Sequence, residues 1–422
     1  MSRDGRIVWI DQLRSIAFFF VILGHVALPD EMQSVIYSFH MPLFFLISGL
    51  TINREKIASV SLWKYAAKLA KALLIPYVWM SLLCYPLWYL AFHMLDVPVE
   101  DTPINAAVGI LAGNNLIEDS TSNALWFLLV LFIAELLFAV FIKLTRNNSI
   151  AIACLVIVCA VAGCLDSGVP RIWHCNVALT AVVFLFLGNC FMKWYRSSKL
   201  MHSKRNFAYV IKIVTAEVFF ITVGTISHIF NERISMTANK FGNSPYLFYV
   251  TSVAFSLAVM FAVIHMPRIK AVEYIGQNTL LYVGIHIPIL RIFERAFPDI
   301  FLNFGFSIPF AFVLYFGIIP IVVLFKKYFP YVCGKTSDIH SLPVFIGKFI
   351  LVLWSAFIPY GSIVSNSGIN FSNPLYTVLS AVAFVAVSVV FVLATTRFVP
   401  VIYLQSRDSQ NKRKISKIST AI

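Results

Sequence analysis

The sequence predicts an all-α polytopic membrane protein of about twelve transmembrane helices, and three observations carry that reading. Of the 422 residues, 59% are hydrophobic and 12% are charged, against about 45–50% and about 25% in soluble domains. The apolar residues fall into stretches of roughly 18–25, the length a helix needs to cross a bilayer. The net charge of +14 is sorted along the chain rather than spread over it. The composition excludes a disordered chain, a collagen-like chain and a disulfide scaffold.

The expected spans cover residues 7–28, 32–52, 72–95, 124–144, 149–165, 174–195, 209–230, 245–266, 279–297, 306–326, 344–364 and 375–397. With the N-terminus inside, the outward connections hold only Arg171, Arg233, Lys240, Arg291 and Arg295. Every other Lys and Arg falls on an inner segment, at an inner helix end or, for Arg14 and Lys348, in the inner half of a span. This is the positive-inside distribution, and it places both termini in the cytoplasm. Basic stretches such as Lys412–Lys414 are then topogenic, and no nucleic-acid partner is expected. The first span is expected to be a retained helix, because it is long and lacks a small-residue cleavage site.

Between the spans, residues 96–123 form an acidic outward connection whose apolar piece, Ile104–Leu111, is too short to cross and is expected at the interface. Asn231–Ser244 is a polar outward loop. On the inside, Asn53–Lys71 and Lys193–Arg205 are basic segments. Cys154, Cys159 and Cys164 recur every five residues, which does not keep one helix face, so they read as apolar filler with no disulfide and no metal site. Spans eleven and twelve carry one charge and no His. The division expected is a ten-span unit over 5–335, a two-helix extension over 342–400 and a basic cytoplasmic tail over 401–422.

Ionisable groups inside a bilayer cost at least about 2.5–3.5 kcal/mol each on insertion scales, so they mark functional candidates. The first span holds Asp11 and Arg14, three apart and able to pair on one face. His25 follows Arg14 by eleven residues, about three turns, so the two share a face about 16 Å apart along the axis. The second span holds His40, followed by Pro42, which removes a backbone donor and bends the helix. A turn of about three residues makes these spans antiparallel neighbours, and both imidazoles are expected to border one cavity in the outer half. Glu135, Glu217, His228 and His286 are the other intramembrane candidates. The competing reading makes Asp11–Arg14 a snorkelling pair, His25 a core histidine and the rest helix–helix hydrogen-bonding groups.

These residues resemble the acyltransferase-3 family of bacterial membrane acyltransferases over roughly 5–335. The resemblance rests on Asp11-x-x-Arg14-x10-His25, then Phe39-His-Met-Pro-Leu-Phe-Phe with Ser48-Gly49. Supporting pieces are Lys68-x-x-Lys71-x4-Pro76-Tyr77, Leu125-Trp-Phe-Leu128, Phe186-Leu-Gly188, and Tyr274-Ile-Gly-x-Asn278 leading into His286-x-Pro288. The resemblance implies transfer of acyl groups from cytoplasmic acyl-CoA to hydroxyls of surface glycans or their lipid-linked precursors, with the first-span Arg and His essential. Within the family the chain is most similar to small sugar O-acetylases of the fucose-acetylase kind. It lacks the fused soluble SGNH domain of longer members and adds two spans.

The expected activity is therefore acetyl-CoA-dependent O-acetylation of a glycan in the bacterial inner membrane, with no metal. An alcohol is a poor nucleophile until a base takes its proton, and His suits that task near neutral pH. Catalysis is expected from His25, with His40 as a second base or oxyanion donor. The CoA phosphates are expected at Arg14, oriented by Asp11, because the guanidinium fork matches phosphate oxygens; Lys64, Lys68 and Lys71 extend that site or are simply topogenic. Ser48, Trp126, Glu135 and His286 are further cavity candidates. The alternative from another class is a twelve-span secondary transporter or lipid-linked glycan flippase, against which no duplicated halves are visible.

Overall fold

The computed structural model describes residues 7–81, 83–84, 109–113, 123–166, 171–198, 201, 207–298, 303–330 and four positions between 344 and 350. The outer part of the third expected span, most of the acidic connection, nearly all of spans eleven and twelve, and the basic tail lie outside these residues. The described residues form helices joined by short turns, with an isolated bridge between Ser235 and Lys240.

In chain order these are α1 (Val8–His25), α2 (Asp30–Thr51), α3 (Arg54–Ser59), α4 (Leu62–Leu69), α5 (Trp126–Leu144), α6 (Ser149–Leu165), α7 (Cys175–Ser197), α8 (Phe207–Ile229), α9 (Pro245–His265), α10 (Lys270–Gln277), α11 (Thr279–Ala296) and α12 (Phe304–Tyr328). Among the described residues seven helical stretches are long and apolar enough to cross a membrane: α1, α2, α5, α7 with the short turn before it, α8, α9 and α12. At 17 residues α6 is an apolar helix of slightly shorter reach. α11 has the length of a span but carries Arg291, Glu294 and Arg295 in its second half. The protein is an all-α, multi-pass membrane protein.

Several ends follow from single residues. Asn53, Ser61, Asn148 and Asn303 cap α3, α4, α6 and α12, each side chain accepting a backbone N–H of the first turn. The end of the basic inner segment and the start of the expected third span lie on one continuous helix, which widens into a π-turn at Ala70–Leu74 and runs on through residue 81. Pro76 explains the widening: its ring clashes with the carbonyl four residues back and it donates no N–H, so the preceding turn opens.

α2 is the centre of the bundle. It packs on α1, α7 and α9, while α1 also packs on α10, α11 and α12. With lipid on the outside there is little hydrophobic drive between helices, so close backbone approach decides which pairs meet. At the α2–α7 crossing, a Cβ on Gly49 would overlap the backbone of Leu185, and one on Gly188 that of Leu46. α8 leans on α9 and turns Val210, Val214, Val218 and Phe219 outward, as a lipid-facing helix does.

Two prolines inside spans leave carbonyls without their helical partners, and the bundle supplies substitutes. Pro42 releases the Ser38 carbonyl, which accepts the Ser252 hydroxyl of α9 at 2.5 Å. Pro288 releases the Gly284 carbonyl, which accepts the Cys84 thiol at 3.7 Å. An unsatisfied carbonyl in hydrocarbon costs several kcal/mol, so these contacts let both helices keep their prolines.

Candidate active site

Two cavities lie at opposite ends of α1. The first, about 420 Å³, is bordered by Val21 and His25 of α1, Tyr37, His40 and Phe44 of α2, Trp126 of α5, His174 before α7 and Ser235–Ala238. The second, about 360 Å³, is bordered by Asp11 and Arg14 of α1, Leu50–Asn53 after α2, Arg196 of α7 and Gln277 of α10. Such volumes suit small-molecule sites.

The imidazoles of His25 and His40 line the first cavity, and that of His286 stands behind His25. The His25 and His286 rings lie 5.6 Å apart, centroid to centroid, at 53°, and His40 and Arg291 lie within electrostatic reach of His25. Two of the three rings are locked by their own helices. His40 Nδ1 meets the Ile36 carbonyl at 2.7 Å, and His286 Nδ1 meets the carbonyls of Tyr282 and Val283 at 3.0 Å each. A carbonyl only accepts, so Nδ1 carries the hydrogen in both rings and Nε2 is left as the acceptor. His286 is fully buried, its Nε2 has no hydrogen-bond partner, and its ring stands edge-on against Phe18 at 5.2 Å. His25 itself makes no hydrogen bond among the described residues, which leaves its ring free to turn.

The corner between α1 and α2 fixes where His25 emerges. The Gly24 carbonyl, in the last turn of α1, accepts both the Tyr37 hydroxyl at 3.2 Å and the Gln33 amide at 3.3 Å. The loop Asn231–Ser244 closes over the same corner, with Arg233 donating to Gln33 Oε1 at 2.8 Å and resting over the Tyr37 ring.

At the other end Arg14 donates to Asp11 at 3.2 Å, and the second Asp11 oxygen takes the Gln277 amide at 3.3 Å. Gln277 also donates to Glu273, which is paired with Arg268 at 2.6 and 3.0 Å. The chain of contacts ties α1 to α10, and Gly276 permits it: a Cβ there would overlap the backbone of Asp11. The Gly of Tyr274-Ile-Gly-x-Asn278 is therefore a packing requirement of the Asp11–Arg14 pair.

The expected site residues divide between these places. His25, His40 and Trp126 border the first cavity, and His286 stands directly behind His25. Asp11 and Arg14 border the second. Ser48 borders neither. Lys64, Lys68 and Lys71 border neither as well, because α4 packs on α5 and leaves Lys64 and Lys68 exposed. Glu135 accepts the Tyr65 hydroxyl at 3.2 Å, with Lys68 and Arg14 both in electrostatic reach. Burial, and then the neighbouring Glu135, pushes the Tyr65 phenol above its ordinary range.

Among the charged and histidine residues of these cavities, two were not singled out as sites in the sequence. Arg196 belongs to the basic stretch Lys193–Arg205, and only the packing of α2 on α7 brings it beside Arg14. His174 opens an apolar span, where a lone His gives no periodic signal. Trp173 and His174 both adopt left-handed backbone, at φ 56° and 49°. For residues other than Gly this costs of order 1–3 kcal/mol each, and Trp173 is held there by its indole N–H on the Leu111 carbonyl at 2.9 Å. No cluster of His, Cys, Asp or Glu able to hold a metal occurs among the described residues.

No curated protein and no solved structure matches the chain. A family model described as an acyltransferase domain, that of the acyltransferase-3 family, matches residues 7–327. The match takes in both cavities and every helix from α1 through all but the last residue of α12. The chain belongs to the acyltransferase-3 family of membrane acyltransferases.

Proposed function

We propose that the protein transfers an acetyl group from cytoplasmic acetyl-CoA to a hydroxyl of a cell-surface glycan or its lipid-linked precursor, in the bacterial inner membrane. The observation that carries this reading is the placement of the two cavities along α1, with Arg14 at one and His25 at the other. The eleven residues between them span about 16 Å, roughly the reach of a pantetheine arm. Nucleotide phosphates are held at the inner cavity by the forks of Arg14 and Arg196, and the thioester reaches His25.

In the transfer, a His25 nitrogen takes the proton of the acceptor hydroxyl as its oxygen attacks the thioester carbonyl carbon. The C–S bond then breaks, and the proton passes from His25 to the departing sulfur, leaving an acetyl ester and free CoA. A turn of the His25 ring brings its N–H onto His286 Nε2, which has no partner at rest, and so sets the ring for attack, as the third group of a nucleophile–base–orienter arrangement does. The bond from His40 Nδ1 to Ile36 favours an acceptor role for its Nε2, hence a second base rather than an oxyanion donor.

Purified protein supplied with acetyl-CoA and lipid-linked or polymeric glycan should release CoA thiol and form glycan acetyl ester. Glycan that crosses the membrane unmodified, with no thiol released, would instead support the transport reading. Membership of an acyltransferase family favours the first outcome.

A further inference from the structure

We infer that the end of the first cavity formed by Trp126, His174 and the turn Ser235–Ala238 is a monosaccharide-binding subsite, the place where the acceptor sugar ring is held. The inference rests on the transfer reading above for its role, and on separate observations for its existence.

The cavity walls differ in chemistry. Near α1 and α2 they present Val21, Met41 and Phe44 beside the His25 and His40 imidazoles and the Tyr37 phenol. The opposite wall combines a broad indole with a histidine, two hydroxyl side chains and the backbone of a turn. A pyranose ring needs that combination: one apolar C–H face to lie on an aromatic surface, and hydroxyls around its edge that both donate and accept. His174 stands 5.7 Å from Trp126, ring to ring. It is fully buried, and neither ring nitrogen has a hydrogen-bond partner of proper geometry, although the backbones of Thr237 and Gly113 lie near. A buried histidine met only by two poorly aligned backbone groups is better satisfied when a ligand hydroxyl completes it.

The turn is also built to stay in place. Ser235 and Lys240 exchange backbone hydrogen bonds at 2.9 and 3.1 Å. Asn239, left-handed at φ 52°, sends its buried side chain the other way, donating to the carbonyls of Gly163 and Asp166 and accepting from Thr180. Arg233 ties the same loop to Gln33. Ser235 and Thr237 are thus presented by a loop anchored to α2, α6 and α7, and a preorganised wall lowers the cost of binding a polar ligand. Left-handed backbone at His174, which lines the same end of the cavity, and at its neighbour Trp173 is strain of the kind that clusters at ligand sites.

The test is saturation-transfer NMR on the detergent-solubilised full-length protein, with methyl glycosides of a hexose, a 6-deoxyhexose and an N-acetylhexosamine as probes. At least one glycoside should receive saturation from the parent protein. His174→Asn, chosen because Asn tolerates left-handed backbone, and Thr237→Val, chosen for its unchanged shape, should each weaken that binding by about fivefold, the worth of one hydrogen bond. Thr237→Val keeps the proposal testable where His174→Asn fails to fold. Absence of saturation for every probe, or equal saturation in the parent and both folded variants, would overturn the subsite. CoA thiol release in the same samples separates the two claims. Sugar binding without thiol release would sink the transfer reading and leave the subsite standing, whereas thiol release with unaltered sugar binding would do the reverse.

Discussion

His286 stands 5.6 Å behind His25, and its Nδ1 is tied to its own helix. The tether fixes the direction of the buried Nε2 lone pair, which has no hydrogen-bond partner and belongs to the ring packed beside His25. The arrangement separates two tasks that a single intramembrane histidine performs poorly. One ring is held by its own helix, and the other makes no hydrogen bond among the described residues.

Replacing His286 by Phe should therefore slow transfer without changing substrate binding. Phe keeps the ring and its edge-on contact with Phe18, so the protein should remain folded. Loss of one orienting hydrogen bond is worth about tenfold in kcat. KM values for acetyl-CoA and acceptor should stay within about twofold of the parent. A KM rise with kcat intact would place His286 in substrate binding instead.

At the Arg14 cavity, Arg14→Lys should raise the KM for acetyl-CoA more than its retained charge suggests, because an ammonium cannot reproduce the bidentate fork. Arg196→Ala should act in the same direction, and neither should move the acceptor KM. Initial rates against acetyl-CoA concentration decide this. An unaltered acetyl-CoA dependence in both variants would leave Arg14 a partner of Asp11 and nothing more.

The helices whose roles follow from composition were legible in the sequence, as were the residues that α1 and α2 bring together. Hydropathy located α1 and α2, their short connection made them antiparallel, and helical spacing put Arg14 and His25 on one face. His174 and Arg196 were not legible. His174 becomes a cavity residue because Asn239 folds a loop sixty residues later against the start of α7, and no local periodicity records that. Arg196 reaches Arg14's cavity through the glycine-mediated α2–α7 crossing. The three lysines failed to join it for the converse reason: Pro76 and the π-turn continue α4 into the next helix, and Tyr65 docks that helix on Glu135.

The contact between Ser252 and Ser38 has a consequence for stability. Ser252→Ala should destabilise the protein by about 1–3 kcal/mol, since it leaves a buried carbonyl unmet. Pro42→Ala restores the backbone N–H that the Ser38 carbonyl lacks, so the two changes together should cost less than the sum of the singles. Thermal unfolding of the four proteins in detergent completes the cycle. Strict additivity would mean that the Ser38 carbonyl is satisfied in some other way.

The α2–α7 crossing makes a sharper demand. Gly188→Leu drives a side chain into the backbone of Leu46, and overpacking of this kind costs about 1–3 kcal/mol or more. The variant should show reduced membrane level and loss of both proposed activities, acetyl-CoA binding at the Arg14 cavity and transfer at His25. Parental membrane level and parental kinetics together would show that the helices do not meet there.

The central claim is that His25 removes the acceptor proton, and the most direct measurement compares acetyl-CoA-dependent acetylation of glycan by purified parent and His25→Ala proteins at matched, folded concentration. Loss of the base should lower the transfer rate by about 10²–10⁴-fold, while acetyl-CoA binding, measured by titration in the absence of acceptor, stays at the parental level. Retention of more than about a tenth of the parental rate by a folded His25→Ala protein would contradict the account.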